Sequence, residues 1–146
     1  GEASPVADAT VDAYVQVEIA PFWLSSLGET VADDGATLAS LGFEGEVPAG
    51  SVAVMVPLYV HNGGQEDVDV RDAVTVDFIA SGGDEYGADA ACGAYTGAFD
   101  EGRIIEWAEA ETVWVCRFVP AGAEAGGTWR VTSLVGDGMA YFVAVP

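Results

Sequence analysis

Apolar residues alternate with polar or small ones along much of the chain, the signature of strands buried on one face. Val11, Ala13, Val15, Val17 and Ile19 fall on one side of an extended segment, and Asp12, Tyr14, Gln16 and Glu18 fall on the other. The pattern returns in Val52, Val54, Val56, Leu58 and Val60, set against Ala53, Met55, Pro57, Tyr59 and His61, and Asn62-Gly63-Gly64 then supplies a turn. Pro57 has no N–H to give to a ladder, so it predicts a bulge or an edge position. Val74, Val76, Phe78 and Ala80 define a further inward face, which ends at Ser81-Gly82-Gly83.

Residues 111–119 differ because both of their faces are apolar. Thr112, Trp114, Cys116 and Phe118 share one face, Val113, Val115, Arg117 and Val119 share the other, and Pro120 stops the strand. Residues 128–135 and 139–145 predict a hairpin around Gly136-Asp137-Gly138, a short loop of residues that tolerate positive φ. Residues 38–43 are a candidate seventh strand. Residues 21–28 and 102–110 fit either short strands or single helical turns. The longest irregular stretch, 81–102, is rich in Gly, Ala and acid and contains Cys92.

Strands at this spacing, separated by turn clusters, predict an all-β fold: an immunoglobulin-like antiparallel β-sandwich of about seven to nine strands. With 146 residues the chain is long enough for one core and too short for two secure ones, so residues 11–146 are read as a single domain behind a flexible N-terminal segment, 1–10.

Charge narrows the partners. The chain has 24 Asp and Glu, no Lys, and four Arg at positions 71, 103, 117 and 130, for a net charge of −20. Nucleic acid is bound by neutralising its phosphates, and four scattered Arg cannot build the required basic stripe. An anionic membrane surface is disfavoured on the same ground. A composition 51% hydrophobic nevertheless separates the chain from disordered acidic sequences. The longest apolar run, 52–60, is interrupted by Pro57 and is far shorter than the ~20 residues of a spanning helix. Gly-Glu-Ala-Ser-Pro at the N-terminus has neither a basic start nor an apolar core, so any export signal would lie upstream of residue 1.

Cys92 and Cys116 belong to no Cys-x-x-Cys pair, and with His61 the only imidazole a Cys/His zinc site has too few ligands. That leaves a disulfide or two inert buried thiols. Composition and an oxidising compartment favour the disulfide, which closes a loop worth roughly 3–4 kcal/mol in the chain-entropy model.

The order of features has a further likeness. Leu58-Tyr59-Val60-His61-Asn62, a turn, residues 68–74, Phe78 and the Gly83-Asp84-Glu85-Tyr86-Gly87 loop are followed by Glu111-Thr112-Val113 leading through Trp114 to Phe118-Val119-Pro120. Over residues 12–145 this resembles a bacterial extracellular immunoglobulin-like β-sandwich family of unknown function, itself similar to the mycobacterial secreted immunoprotective antigen. The resemblance implies export or surface display, often as a lipoprotein anchored upstream of the domain, and brings no catalytic residue. The chain departs from the pattern in having Ala110 where Gly is usual and in lacking Lys, so interactions made through basic groups are not carried over.

Catalytic readings are weak beside structural ones. Any Ser-His-Asp or Cys-His mechanism would have to use His61, which stands at a strand end without a nucleophile-elbow motif nearby. Acidic pairs such as Asp84-Glu85, Asp100-Glu101 and Glu109 with Glu111 could form a glycosidase couple, but 24 acids make such pairs common by chance. Asp33-Asp34-Gly35 and residues 83–89 offer oxygen ligands for calcium without the spacing of an EF-hand. Trp23 and Trp107 are candidates for exposed sugar-stacking rings, whereas Trp114, sharing a face with Cys116 and Phe118, reads as core. No catalytic residue, metal ligand or cofactor is assigned. The expectation is a non-enzymatic module, extracellular or on the surface of a bacterium, interacting with an unknown protein or envelope ligand; a carbohydrate- or calcium-binding module is the alternative and a hydrolase the third reading.

Overall fold

The computed structural model describes residues 10–11, 17–26 and 30–143. In chain order its strands are β1 (Thr10–Val11), β2 (Val17–Ile19), β3 (Phe22–Ser26), β4 (Val31–Asp33), β5 (Ser51–Asn62), β6 (Val68–Asp69), β7 (Val74–Ile79), β8 (Glu85–Tyr86), β9 (Ile104–Ile105), β10 (Ala110–Pro120), β11 (Thr128–Ser133) and β12 (Met139–Val143). Two short helices, α1 (Ala36–Ser40) and α2 (Val70–Ala73), follow β4 and β6. One sheet has the order β1-β12-β11-β7-β8; the other has β10-β5-β3-β2, with β4 also on β5; β6 and β9 form a separate ladder. The ladders are antiparallel except β1 on β12. β7-β11-β12 and β5-β10 reproduce the C-F-G and B-E neighbours of an immunoglobulin-like sandwich.

The alternation read from sequence is what builds the core. Val54, Val56, Leu58 and Val60 of β5 and Val113, Val115 and Val119 of β10 face Val74, Val76 and Phe78 of β7, Trp129 and Val131 of β11, and Ala140 and Phe142 of β12. Each such aliphatic side chain contributes about 1.5–3 kcal/mol by leaving water. Phe78 and Trp129 meet edge to face, with ring centroids 5.2 Å apart.

β5 and β10 are buried on their other faces too. Ala53, Met55 and Cys116 form a second cluster with Leu38 of α1 and Cys92, against which Leu41, Phe43, Tyr95, Trp114 and Phe118 pack. A disulfide joins Cys92 to Cys116. The segment carrying Cys92 also touches the free edge of β10 through bridges from Ala91 to Arg117 and from Ala98 to Trp114. An edge strand left bare is a template for unwanted pairing, and this segment covers it.

Several elements differ from the sequence expectation. Residues 38–43 are not a strand: α1 begins at Ala36, where Asp33 accepts from Gly35 N (2.8 Å) and from the Thr37 hydroxyl (2.7 Å), and the helical turn carries Leu38 into the second cluster. The apolar run expected as one strand over residues 11–19 contributes β1 to one sheet and β2 to the other, with residues 12–16 outside those described. Alternation reports which face is buried, not which neighbour a strand takes. Pro57 is not at an edge, and the register with β10 runs past it without a bulge. It lies within the central strand β5, opposite Trp114 on β10, where the neighbouring ladder passes from β3, ending at Leu58↔Ser26, to β4, beginning at Met55↔Val31. Residues 21–28 contain β3, residues 102–110 contain β9, and the stretch 81–102 contains β8 and two 3-10 turns. The N-terminal segment 1–10 lies outside the described residues apart from Thr10.

Candidate binding end of the sandwich

Strand polarity brings four connections to one end: residues 20–21, 63–67, 106–109 and 134–138. Backbone bonds fasten them, with Gly63 N donating to Pro21 O (3.0 Å), Ala108 N to Asn62 O at the end of β5 (3.0 Å) and Leu134 N to Ala73 O at the end of α2 (2.7 Å). The Ser133 hydroxyl donates to Ala20 O at 3.1 Å. Two of these connections, after β5 and between β11 and β12, occupy the places of the B–C and F–G loops that carry recognition in immunoglobulin variable domains.

Asn62 holds this end together. Fully buried, it donates through Nδ2 to Glu66 O (2.7 Å) and Ile105 O (2.9 Å) and accepts through Oδ1 from Gly64 N (2.9 Å). Trp107 N donates to an Asp67 carboxylate oxygen at 3.0 Å, fixing the turn before β10. At Gly63 a Cβ would lie 3.3 Å from Trp23 Cδ1, so the indole rests close against bare backbone.

The side chains presented here are unusual for a surface. Trp107 and Val135 are each 61% exposed and Trp23 40%; Leu134, Met139 and Ile104 join them, and these six are the exposed large hydrophobics among the described residues. Between the 63–67 segment and the β11–β12 loop runs a groove of about 470 Å³ lined by Pro21, Gly64, Gln65, Glu66, Val68 and Val135.

All four Arg are engaged in ion pairs: Arg71 with Asp69 (3.7 Å), Arg103 with Glu111 (2.7 Å), Arg117 with Asp100, and Arg130 with Asp77 (2.9 Å) and Glu85 (2.7 Å). Glu66, Asp67, Glu106, Glu109 and Asp137, on the connections of this end, have no ion-pair partner among the described residues.

A second cleft, of about 460 Å³, lies between β7, β10 and residues 88–101. Its chemistry is turned inward. Arg117, buried on the core-facing side of β10, donates through Nη1 to Asp100 and Cys116 O (2.8 Å) and through Nη2 to Val76 O (2.8 Å), while its Nε is buried without an acceptor. The guanidinium thus braces one sheet against the other. Arg130, hydrogen-bonded first to Glu85 and then to Asp77, is held more firmly protonated than an ordinary Arg. The Tyr95 hydroxyl donates to Trp114 O at 2.9 Å; burial, reinforced by the charge of Asp100, raises its pKa well above the ordinary tyrosine value.

The sequence candidates are scattered over this frame. His61, half-buried, pairs across the sheet with Trp23 and Ala110, neither of them a nucleophile. Each acidic pair gives one member to an Arg: Glu85 to Arg130, Asp100 to Arg117 and Glu111 to Arg103. Asp33 is spent on the start of α1, and among the described residues no three His, Cys, Asp or Glu side chains are grouped to hold a metal. Trp23 and Trp107 are exposed, while Trp114 packs on the second cluster. The loop end was not legible in the sequence because it is assembled from four separate turns; the apolar Leu134-Val135 pair entering a Gly-rich loop was the available signal.

No protein-family model matches the chain, and no curated protein matches it. Two solved structures share its architecture. An uncharacterized β-sandwich protein from Clostridium difficile 630 is similar with a TM-score of 0.60 at 11% identity, covering 92% of this chain and 93% of its own. A conserved hypothetical protein from Bacillus anthracis is similar with a TM-score of 0.55 at 15% identity, covering 91% of this chain and 94% of its own. At such identities the likeness establishes the β-sandwich fold, and neither protein has an assigned function.

Proposed function

We propose that this protein is a non-enzymatic module of the bacterial surface or extracellular space that engages a protein or envelope partner through the end formed by residues 20–21, 63–67, 106–109 and 134–138. The observation that carries this reading is the exposure of Trp107, Leu134 and Val135 on those connections, with exposed Trp23 of β3 resting against Gly63 beside them. Large apolar side chains gathered at one end of a domain favour an interaction surface, since a free monomer gains nothing by hydrating them. Toward the other end of the β10-β5 sheet, the apolar side chains of the outer face are packed beneath α1 and the disulfide-linked segment.

The disulfide is compatible with an oxidising, extracytoplasmic location, and it accords with the secreted antigen-like family that the strand motifs resemble. The engagement of Glu85, Asp100 and Glu111 with Arg side chains supports a non-catalytic role for the acidic pairs. The exposure of both Trp23 and Trp107 favours carbohydrate as the second reading.

Fluorescently labelled protein should bind washed bacterial envelopes, and a Trp107→Ala/Val135→Ser variant of matched thermal stability should lose that binding. Equal binding by the variant would remove the loop end as the contact surface.

A further inference from the structure

We propose that the groove between residues 63–67 and the β11–β12 loop docks a cationic protein segment carrying apolar side chains. This rests on the reading of the loop end as the binding end, and it names the partner's chemistry.

The apolar half of the argument is the groove itself. Pro21, Val68 and Val135 line it, and Gly64 leaves one part without a side chain. Its volume of about 470 Å³ falls within the range of sites that enclose small ligands, and here it suits a few side chains of a larger partner. Trp23 and Trp107 stand exposed at the same end, where an ammonium or guanidinium can lie over an indole face.

The charged half comes from the accounting of cations. Every Arg of a chain with net charge −20 is already paired within the molecule. Glu66 lines the groove, while Asp67, Glu106, Glu109 and Asp137 sit on the connections of the same end without an ion-pair partner among the described residues. An anionic partner would be repelled, and a neutral one would fill the groove without using the field. A segment combining Lys or Arg with aliphatic side chains uses both. The field accelerates encounter and the groove slows release, so the two contributions separate with salt: the screening length falls from about 10 Å at 0.1 M to about 3 Å at 1 M, whereas apolar burial is not screened.

The test titrates isotope-labelled protein with three synthetic hexapeptides, alternating Lys with Leu, Lys with Ser, and Glu with Leu, followed by amide chemical shifts. The Lys/Leu peptide should saturate with its largest shifts at Gly64, Gln65, Glu66, Val68 and Val135, and its affinity should fall at least about tenfold between roughly 0.05 and 0.5 M salt. The Lys/Ser peptide should bind at least about tenfold more weakly, the Glu/Leu peptide should not bind, and Val135→Ser and Glu66→Gln should each weaken the Lys/Leu peptide about three- to tenfold. Val135→Thr serves in place of Val135→Ser if the latter melts early. The proposal is overturned if Lys/Ser binds as well as Lys/Leu, or if the shifts spread over the acidic faces of both sheets. It is also overturned if an N-acetylglucosamine hexamer shifts the Trp23 and Trp107 indoles while no peptide binds, an outcome that assigns the end to glycan. Should the peptides fail while envelopes still bind in a Val135-dependent manner, the loop end stands and the cationic partner falls.

Discussion

The two ends of the β10-β5 sheet are built to opposite rules. Toward residues 53–55 and 116–118 its outer face carries a third layer, in which α1 and the segment around Cys92 enclose Met55, Cys116 and Leu38. Toward residues 22–23, 61–62 and 110 no such layer lies on this face among the described residues, and Trp23 of β3, with Trp107, Leu134 and Val135 on the nearby turns, is exposed to solvent. One end uses apolar side chains for stability and the other leaves them available. Apolar content alone therefore says little about function; which layer covers it decides.

That contrast predicts large stability effects at the closed end and small ones at the open end. Arg117→Ala should cost most, about 3–5 kcal/mol in denaturant unfolding, because it leaves Asp100 without its cation and the Val76 carbonyl without its side-chain donor. Cys92→Ser/Cys116→Ser should cost about 3 kcal/mol, the entropy of a loop closed across a separation of 24 residues. Tyr95→Phe should cost about 1 kcal/mol at neutral pH by removing the bond to Trp114 O.

Tyr95 also carries a pH signature. Its folded pKa is raised above the ordinary 10.0, so below pH 10 the phenol is protonated in both states and its full contribution is present. Above that pH the unfolded chain ionises while the folded phenol stays protonated, and stability falls. Tyr95→Phe should therefore show a shallower alkaline loss than the parent protein in melts taken between about pH 9 and 11. At the open end, Val135→Ser should change stability by no more than about 0.5 kcal/mol while it weakens binding. A loss of several kcal/mol there would make Val135 part of the core and erase the contrast.

The main core was legible because period-two alternation reports burial directly: Val54 to Val60 and Val74 to Phe78 lie where the pattern puts them. The second apolar face of β10 was also visible, since Trp114, Cys116 and Phe118 could not all be solvated at low cost. What covers that face was not visible. α1 depends on Asp33 turning back on Thr37, a local hydrogen-bond choice that leaves no hydrophobic period. The role of Arg117 was hidden as well, because a single charge on a core face gives no hint of partners 17 and 41 residues away. Asn62 read as a turn residue, yet its three bonds make it the fastening of the open end, and Asn62→Ala should disorder residues 63–67 by orphaning buried backbone groups.

The most direct test is a hydrogen-exchange footprint of the protein bound to washed bacterial envelopes, compared with the free protein. The account predicts new protection confined to residues 20–23, 63–68, 106–109 and 134–138, with residues 36–47 and 87–98 unchanged. Protection over α1 and the disulfide-linked segment, with the loop end exchanging freely, would contradict it.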